Sequence, residues 1–355
     1  MSFSRFLSAA AGSALWGLCT GFALLHPQPA AQALHTAFAL CTGPLLPALF
    51  PFLVLSRMVF MQGSAGLLGQ LFRLPARLAG VRKPCAGLPV LLGWTGGFAP
   101  AATALFTLYK QEALSPRECT GLLPLCLCIG PGFLVGAVGA ALGNPLLGGL
   151  LYLAQLCACM VCALLLRVLL GSPSEGVSAA APLPTVTLPQ AIGDAVAAYG
   201  KVSGCVLFFA FLTAALQAAL PEALHGLLAL GMEVSAGCLY AATQPAALPL
   251  CCLAVSLLGC AGWCQLRALL PRALPLWHFL LLRPVHTACM WGFLRLFLWL
   301  LPGQLAPVYS SLSPEIALRQ RASPAPLLLL FLLLCRVAAL LSSTLPLKKH
   351  DSVLY

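Results

Sequence analysis

The chain is an alternation of long apolar runs and short polar interruptions. Residues 119–166 pass without a single charged side chain, broken only by the turn-forming Gly143-Asn144-Pro145. A bilayer crossing takes about 20 apolar residues over about 30 Å of hydrocarbon, so this one stretch supplies two consecutive crossings. Comparable apolar runs lie at 7–25, 33–56, 84–109, 202–220, 223–243, 246–266, 273–301 and 322–347. Counting 119–143 and 145–166 separately, the pattern predicts ten spans, or eight where re-entrant hairpins replace full crossings.

The expected fold class is therefore all-α, a polytopic transmembrane bundle of eight to ten spans with broken or re-entrant helices. Residues 171–189 are rich in Ser, Pro and Ala around Glu175 and read as an exposed linker. They separate a first membrane half (1–170) from a second (190–347), followed by a short tail (348–355). The first run follows Arg5 and ends at His26-Pro27-Gln28-Pro29 without a convincing cleavage site. It reads as a retained first helix.

Composition strengthens this picture. Hydrophobic residues make up 61% of the 355, charged residues only 8%, and mean hydropathy is +0.97, too apolar for a water-facing surface. The net charge of +11 comes from Lys and Arg scattered at the ends of apolar runs, not from a patch interleaved with aromatics, which argues against nucleic acid. Arg73, Arg77, Arg82 and Lys83 place their loop in the cytoplasm by the positive-inside rule, with both termini on that side of the membrane. In strict alternation Arg267, Arg272, Lys348 and Lys349 fall inside and the 110–118 loop outside, whereas Arg167 and Lys201 land on the wrong side. Most of the seventeen cysteines lie within apolar runs, where they act as small hydrophobes and imply no disulfide framework.

Five spans on each side of the linker would run the halves in opposite directions, as in transporters built from inverted repeats. An echo supports the repeat: Leu91-Leu92-Gly93-Trp94-Thr95-Gly96 and Leu257-Leu258-Gly259-Cys260-Ala261-Gly262 each occupy the third span of their half.

Three first-half motifs resemble the YlbJ-type sporulation integral membrane proteins. They are residues 45–56 (Leu-Leu-Pro-Ala-Leu-Phe-Pro-Phe-Leu-Val-Leu-Ser), Gly97-Phe98-Ala99-Pro100-Ala101-Ala102, and the stretch from Gly130-Pro131-Gly132 to Gly139. Those proteins carry the nucleoside-recognition, or Gate, domain. In the second half Glu233-Val234-Ser235-Ala236-Gly237 and Gly259-Cys260-Ala261-Gly262-Trp263-Cys264-Gln265 are similar to the family's acidic Ser-Gly and Gly-Gly-to-Gln motifs. Where the family shows Cys-Asn-Asn, this chain has Cys126-Leu127-Cys128-Ile129. The resemblance implies a sporulation-associated, transporter-like protein that moves a small polar solute past a midplane site. Gly97, Pro100, Gly130, Pro131, Gly136, Glu233, Ser235, Gly259, Gly262 and Gln265 are the residues it implies for substrate binding. The absent amides favour the alternative, a non-transporting scaffold that recruits partners in spore-envelope assembly.

Individual residues carry further expectations. Gly132, Gly136, Gly139 and Gly143 are spaced for one helix face and first suggest close helix packing. Glu233 interrupts an apolar run and must face protein or water, either in a solute, proton or ion role or paired with Arg283 or Arg295. Gln265 suits helix cross-linking or solute binding. Arg336 sits midway along the last apolar run. No Cys, His and carboxylate set has metal-ligand spacing, and neither a nucleophile elbow nor a phosphate loop is present. No enzyme activity, metal or cofactor is expected. Expected partners are the lipid bilayer, a small polar solute, and a second copy or another membrane protein.

Overall fold

A computed structural model describes residues 3–59, 69–171, 186–271 and 273–301. Arg272, Arg336, the last apolar run, the tail and most of the linker lie outside the described residues. These are all-helical, with no strand among them, and four helices are long and apolar enough to cross a membrane: Pro27–Met58, Pro145–Leu170, Leu188–Ala219 and Ala247–Leu269.

Besides a short helix at Arg73–Leu78, the helices in chain order are α1 (Phe3–Leu25), α2 (Pro27–Met58), α3 (Gly87–Gly96), α4 (Phe98–Lys110), α5 (Pro116–Cys126), α6 (Gly132–Ala141) and α7 (Pro145–Leu170). Then follow α8 (Leu188–Ala219), α9 (His225–Met232), α10 (Val234–Ala242), α11 (Ala247–Leu257), α12 (Gly259–Leu269), α13 (Trp277–Leu281) and α14 (Arg283–Leu300). Their starts are written into the sequence. Ser115 and Glu118 form a capping box ahead of α5, Asn144 caps α7 and Thr187 with Gln190 caps α8, each followed by proline in the first turn. In α2 a π-helical turn at Cys41–Leu45 contains Pro44, whose missing N–H opens the ladder there.

The 84–109 run, expected as one crossing, folds back on itself at Gly97. Leu88, Leu92 and Ala104 share one packed cluster, although Leu88 and Ala104 would be about 24 Å apart in a straight helix. Gly97 has φ +88°, a conformation that favours glycine, and this lets α3 and α4 reverse as an antiparallel pair. The 223–243 run also folds back, at Glu233. A Cβ placed on Gly226 of α9 would lie 3.0 Å from the Tyr240 hydroxyl of α10, whereas a straight helix would separate the two residues by about 21 Å.

Two other runs break without reversing. Residues 127–131 interrupt the path from α5 to α6, and α7 packs along both pieces. Leu258 (φ +61°) and Gly259 (φ +65°) interrupt the path from α11 to α12.

The hairpins change which loops lie together. Lys83 Nζ, ahead of the first hairpin, is 2.9 Å from Glu118 Oε2 and donates to Ala113 O at 3.1 Å, so the 110–118 loop returns to the same end of the bundle as Lys83. This corrects the expectation that the loop lies opposite. Arg167 donates to Arg77 O at 3.1 Å, and Arg57 pairs with Asp194 at 3.7 Å, which brings the end of α7 and the start of α8 to that end too. Strict alternation misplaced Arg167 because it counted a hairpin as a crossing, whereas Lys201 lies within α8 and not in a loop. Among the described residues the opposite turns carry Glu222 as their one charge.

Element order repeats across the linker. Each half has a 32-residue helix (α2, α8), a hairpin (α3–α4, α9–α10), a broken segment (α5–α6, α11–α12) and a closing helix (α7, α14). The opening helices α2 and α8 make the most extensive pairing among the described residues, and the closing helices α7 and α14 also pack closely together. The two sequence hexads are not equivalent in this order: 91–96 ends a hairpin arm, while 257–262 straddles a break.

Candidate functional site

Both hairpin tips come to rest on a broken segment, and both do so against glycine. A Cβ on Gly97 would stand 3.2 Å from Gly130 N, and one on Gly130 would stand 3.4 Å from the Gly96 carbonyl carbon. In the second half a Cβ on Gly259 would stand 2.9 Å from Glu233 Cα. Main chain meets main chain at each joint, which only residues without side chains allow.

Each break is held by a polar side chain from its closing helix. Gln155 of α7 bridges Ile129, accepting from its N–H and donating to its carbonyl, both at 2.9 Å. On α14 Arg283 donates to Ser256 O at 3.2 Å, while His286 Nδ1 lies 2.8 Å from Ser256 Oγ and its Nε2 3.5 Å from Cys159 Sγ. Ser256, Arg283 and His286 are all buried. Trp94 donates to Leu125 O at 3.0 Å, and Tyr152 donates to Trp94 O, which ties the first hairpin to its broken segment and to α7.

Between the two joints lies a cavity of about 60 Å³, room for a few waters. Six of the ten residues singled out from sequence line it: Gly97, Gly130, Glu233, Ser235, Gly262 and Gln265, drawn from both halves. Phe98 and Ala99 line it as well, in the first turn of a helix with no side-chain cap, where backbone N–H groups have no intrahelical partner. Gln265 is half-buried, and its amide makes no hydrogen bond to a described residue; it cross-links no helices here. Gly259 sits at the joint behind Glu233.

Glu233 is buried and caps α10, its Oε2 accepting from Ala236 N at 2.8 Å with Ser235 alongside. It forms no ion pair among the described residues. The expected pairing with Arg283 or Arg295 is absent because those guanidiniums lie over rings of their own region, Phe279 at 3.8 Å and Trp291 at 5.7 Å.

The other three predicted residues fall elsewhere. Pro100 lines a larger neighbouring chamber. Pro131 and Gly136 line an apolar groove with Pro44, Ala48 and Phe52. The glycine stripe is not a single face. Gly132 and Gly136 look toward Ala48 of α2, Gly139 packs on Pro145, and Gly143 (φ +70°) makes a turn, because residues 132–138 are π-helical and shift the register.

Reading the sequence missed the Gln155 bridge, the Ser256–His286 contact and the role of Arg57 and Asp194 in the chamber wall. A single glutamine within a helix of the charge-free 119–166 stretch was the available signal for the first. No group of three or more His, Cys, Asp or Glu among the described residues could hold a metal ion. The cavity offers a carboxylate, a free amide, a hydroxyl and unpaired backbone donors, a set suited to hydrogen-bonding a small polar molecule. No protein-family model, curated protein or solved structure matches the chain.

Proposed function

We propose that this protein is a multi-pass membrane transporter built from two inverted, Gate-like halves, moving a small polar solute past the cavity between its hairpin tips. One observation carries the reading: both hairpin tips, the first-half break at Ile129-Gly130 and α12 just past the second break converge on a single cavity, the arrangement in which transporters expose unwound backbone to a solute. Three crossings, namely α2, α5–α6 and α7, run from α2 to the linker when each hairpin is re-entrant. The second half, opening on α8, then starts from the opposite direction to α2. With α1 and the 322–347 run as further crossings, the total is eight. The clustering of Arg57, Arg73, Arg77, Arg82, Lys83, Arg167 and Arg267 toward one end supports a cytoplasmic face there. The resemblance supplies the proposed setting, sporulation in a bacterial inner membrane.

Uptake by proteoliposomes containing the full chain, screened against small polar solutes, tests the reading. Glu233→Gln and Gln265→Leu are expected to lower flux about tenfold or more, since each removes a polar contact of order 1–3 kcal/mol. Folded protein with no flux across the panel would favour the scaffold instead, a reading consistent with the buried, apolar Cys126-Leu127-Cys128-Ile129 break.

A further inference from the structure

A chamber of about 630 Å³ adjoins the narrow cavity, and Leu53, Ala99, Val202 and Gln265 belong to both walls. Its volume is that of an ordinary small-molecule site. Arg57, Asp194 and Lys201 are its charged lining residues. Arg57 Nε stands 3.7 Å from Asp194 Oδ2, with side chains 25% and 50% exposed, a weak pair that accounts for the one carboxylate in this wall. Lys201 follows Asp194 by seven residues, two turns along the same face of α8, and precedes Val202 of the narrow cavity. It forms no ion pair among the described residues. Glu233, in the adjoining cavity, is already engaged at the start of α10.

Lys201, an exposed residue of this wall, thus has no carboxylate partner among the described residues. The walls around it are largely apolar, including Leu53, Phe208, Phe209 and Leu269. A low-dielectric wall strengthens the attraction of such a charge for an anion, and the basic end of the bundle raises the anion's local concentration. We propose that the chamber binds a small organic anion, with Lys201 holding its carboxylate or phosphate and Phe208 and Phe209 receiving its apolar body. This names the solute class for the translocation reading and rests on that reading for the anion's onward passage.

Cys205 and Cys264 line the same chamber and serve as native reporters. The purified full chain in nanodiscs is treated with N-ethylmaleimide, and labelling of each cysteine is followed by mass spectrometry with benzoate, phenyl phosphate, benzyl alcohol or benzylamine present. At a probe concentration about ten times its Kd, one or both anions should slow labelling of Cys205 and Cys264 about tenfold, while the alcohol and the amine leave it unchanged. Protection by benzoate alone assigns a carboxylate, and by phenyl phosphate alone a phosphate. Lys201→Gln should abolish protection and Lys201→Arg retain it, with unprotected labelling rates equal to the parent's as evidence of an intact fold. The proposal is overturned if neither anion protects, if benzyl alcohol protects equally, or if Lys201→Gln protects like the parent. Protection without any flux would retire the translocation reading and keep the anion site; flux indifferent to Lys201→Gln would do the reverse.

Discussion

Lys83 and Glu118 are the clearest case of one residue explaining another. Both are buried, and Glu118 also accepts from Ser115 N at 2.8 Å, so a single carboxylate closes a helix start and neutralises a lysine brought from before the hairpin. A buried charge left without its partner costs about 3–5 kcal/mol. Glu118→Leu should therefore lower unfolding stability by about that amount in a denaturant titration, and the double variant Lys83→Met with Glu118→Leu should recover most of it. Equal loss in the single and double variants would show that the pair contributes little. At this scale the sequence was partly legible. Glu233 and Gly97 stood out because a charge or paired glycines inside an apolar run needs a physical reason. Gln155 did not, since an amide on a helix announces neither its partner nor its direction, and Ile129 is 26 residues away.

At the scale of elements, hydropathy found the apolar runs but could not tell a crossing from a reversal. A run of 25 apolar residues has the same composition whether it passes straight through or folds back at its middle, and a single glycine or glutamate decides between them. The breaks were more readable than the hairpins, because Gly130-Pro131 and the glycines near 259 interrupt helix-forming sequence directly. The joints also set a strict requirement. A methyl at Gly259 would meet the Glu233 main chain at 2.9 Å while holding φ +65°, so Gly259→Ala is expected to cost about 1–3 kcal/mol and to push the second hairpin off its seat. Thermal unfolding measures the cost, and Gly231→Ala, where a Cβ meets nothing within 4 Å, provides the tolerant control. Identical melting of the two variants would argue against the close joint.

For the whole molecule, the two runs that fold back on themselves bring basic residues from several loops to one end, and the proposed re-entrant reading of them is testable by sidedness. Cysteines placed at Arg82 and Glu112 should react together with an impermeant maleimide applied to the same side of sealed vesicles. Cysteines at Glu222 and Gln244 should react only from the other side. Opposite sidedness for positions 82 and 112 would restore a full crossing to 84–109. The long apolar helices were legible from composition alone. The pairing of α7 with α14 and of α2 with α8 was not, because lipid-facing and protein-facing sides of an apolar helix carry nearly the same residues.

Where hairpin meets break, the joint is made by the peptide chain itself, with Gly97, Gly130 and Gly259 contributing no side chain. The machinery that would shift and the lining that would choose a cargo are consequently encoded at different positions. On the proposed transport reading, exchanges at Lys201, Phe208 or Gln265 would retune which molecules are accepted without disturbing how the two halves articulate.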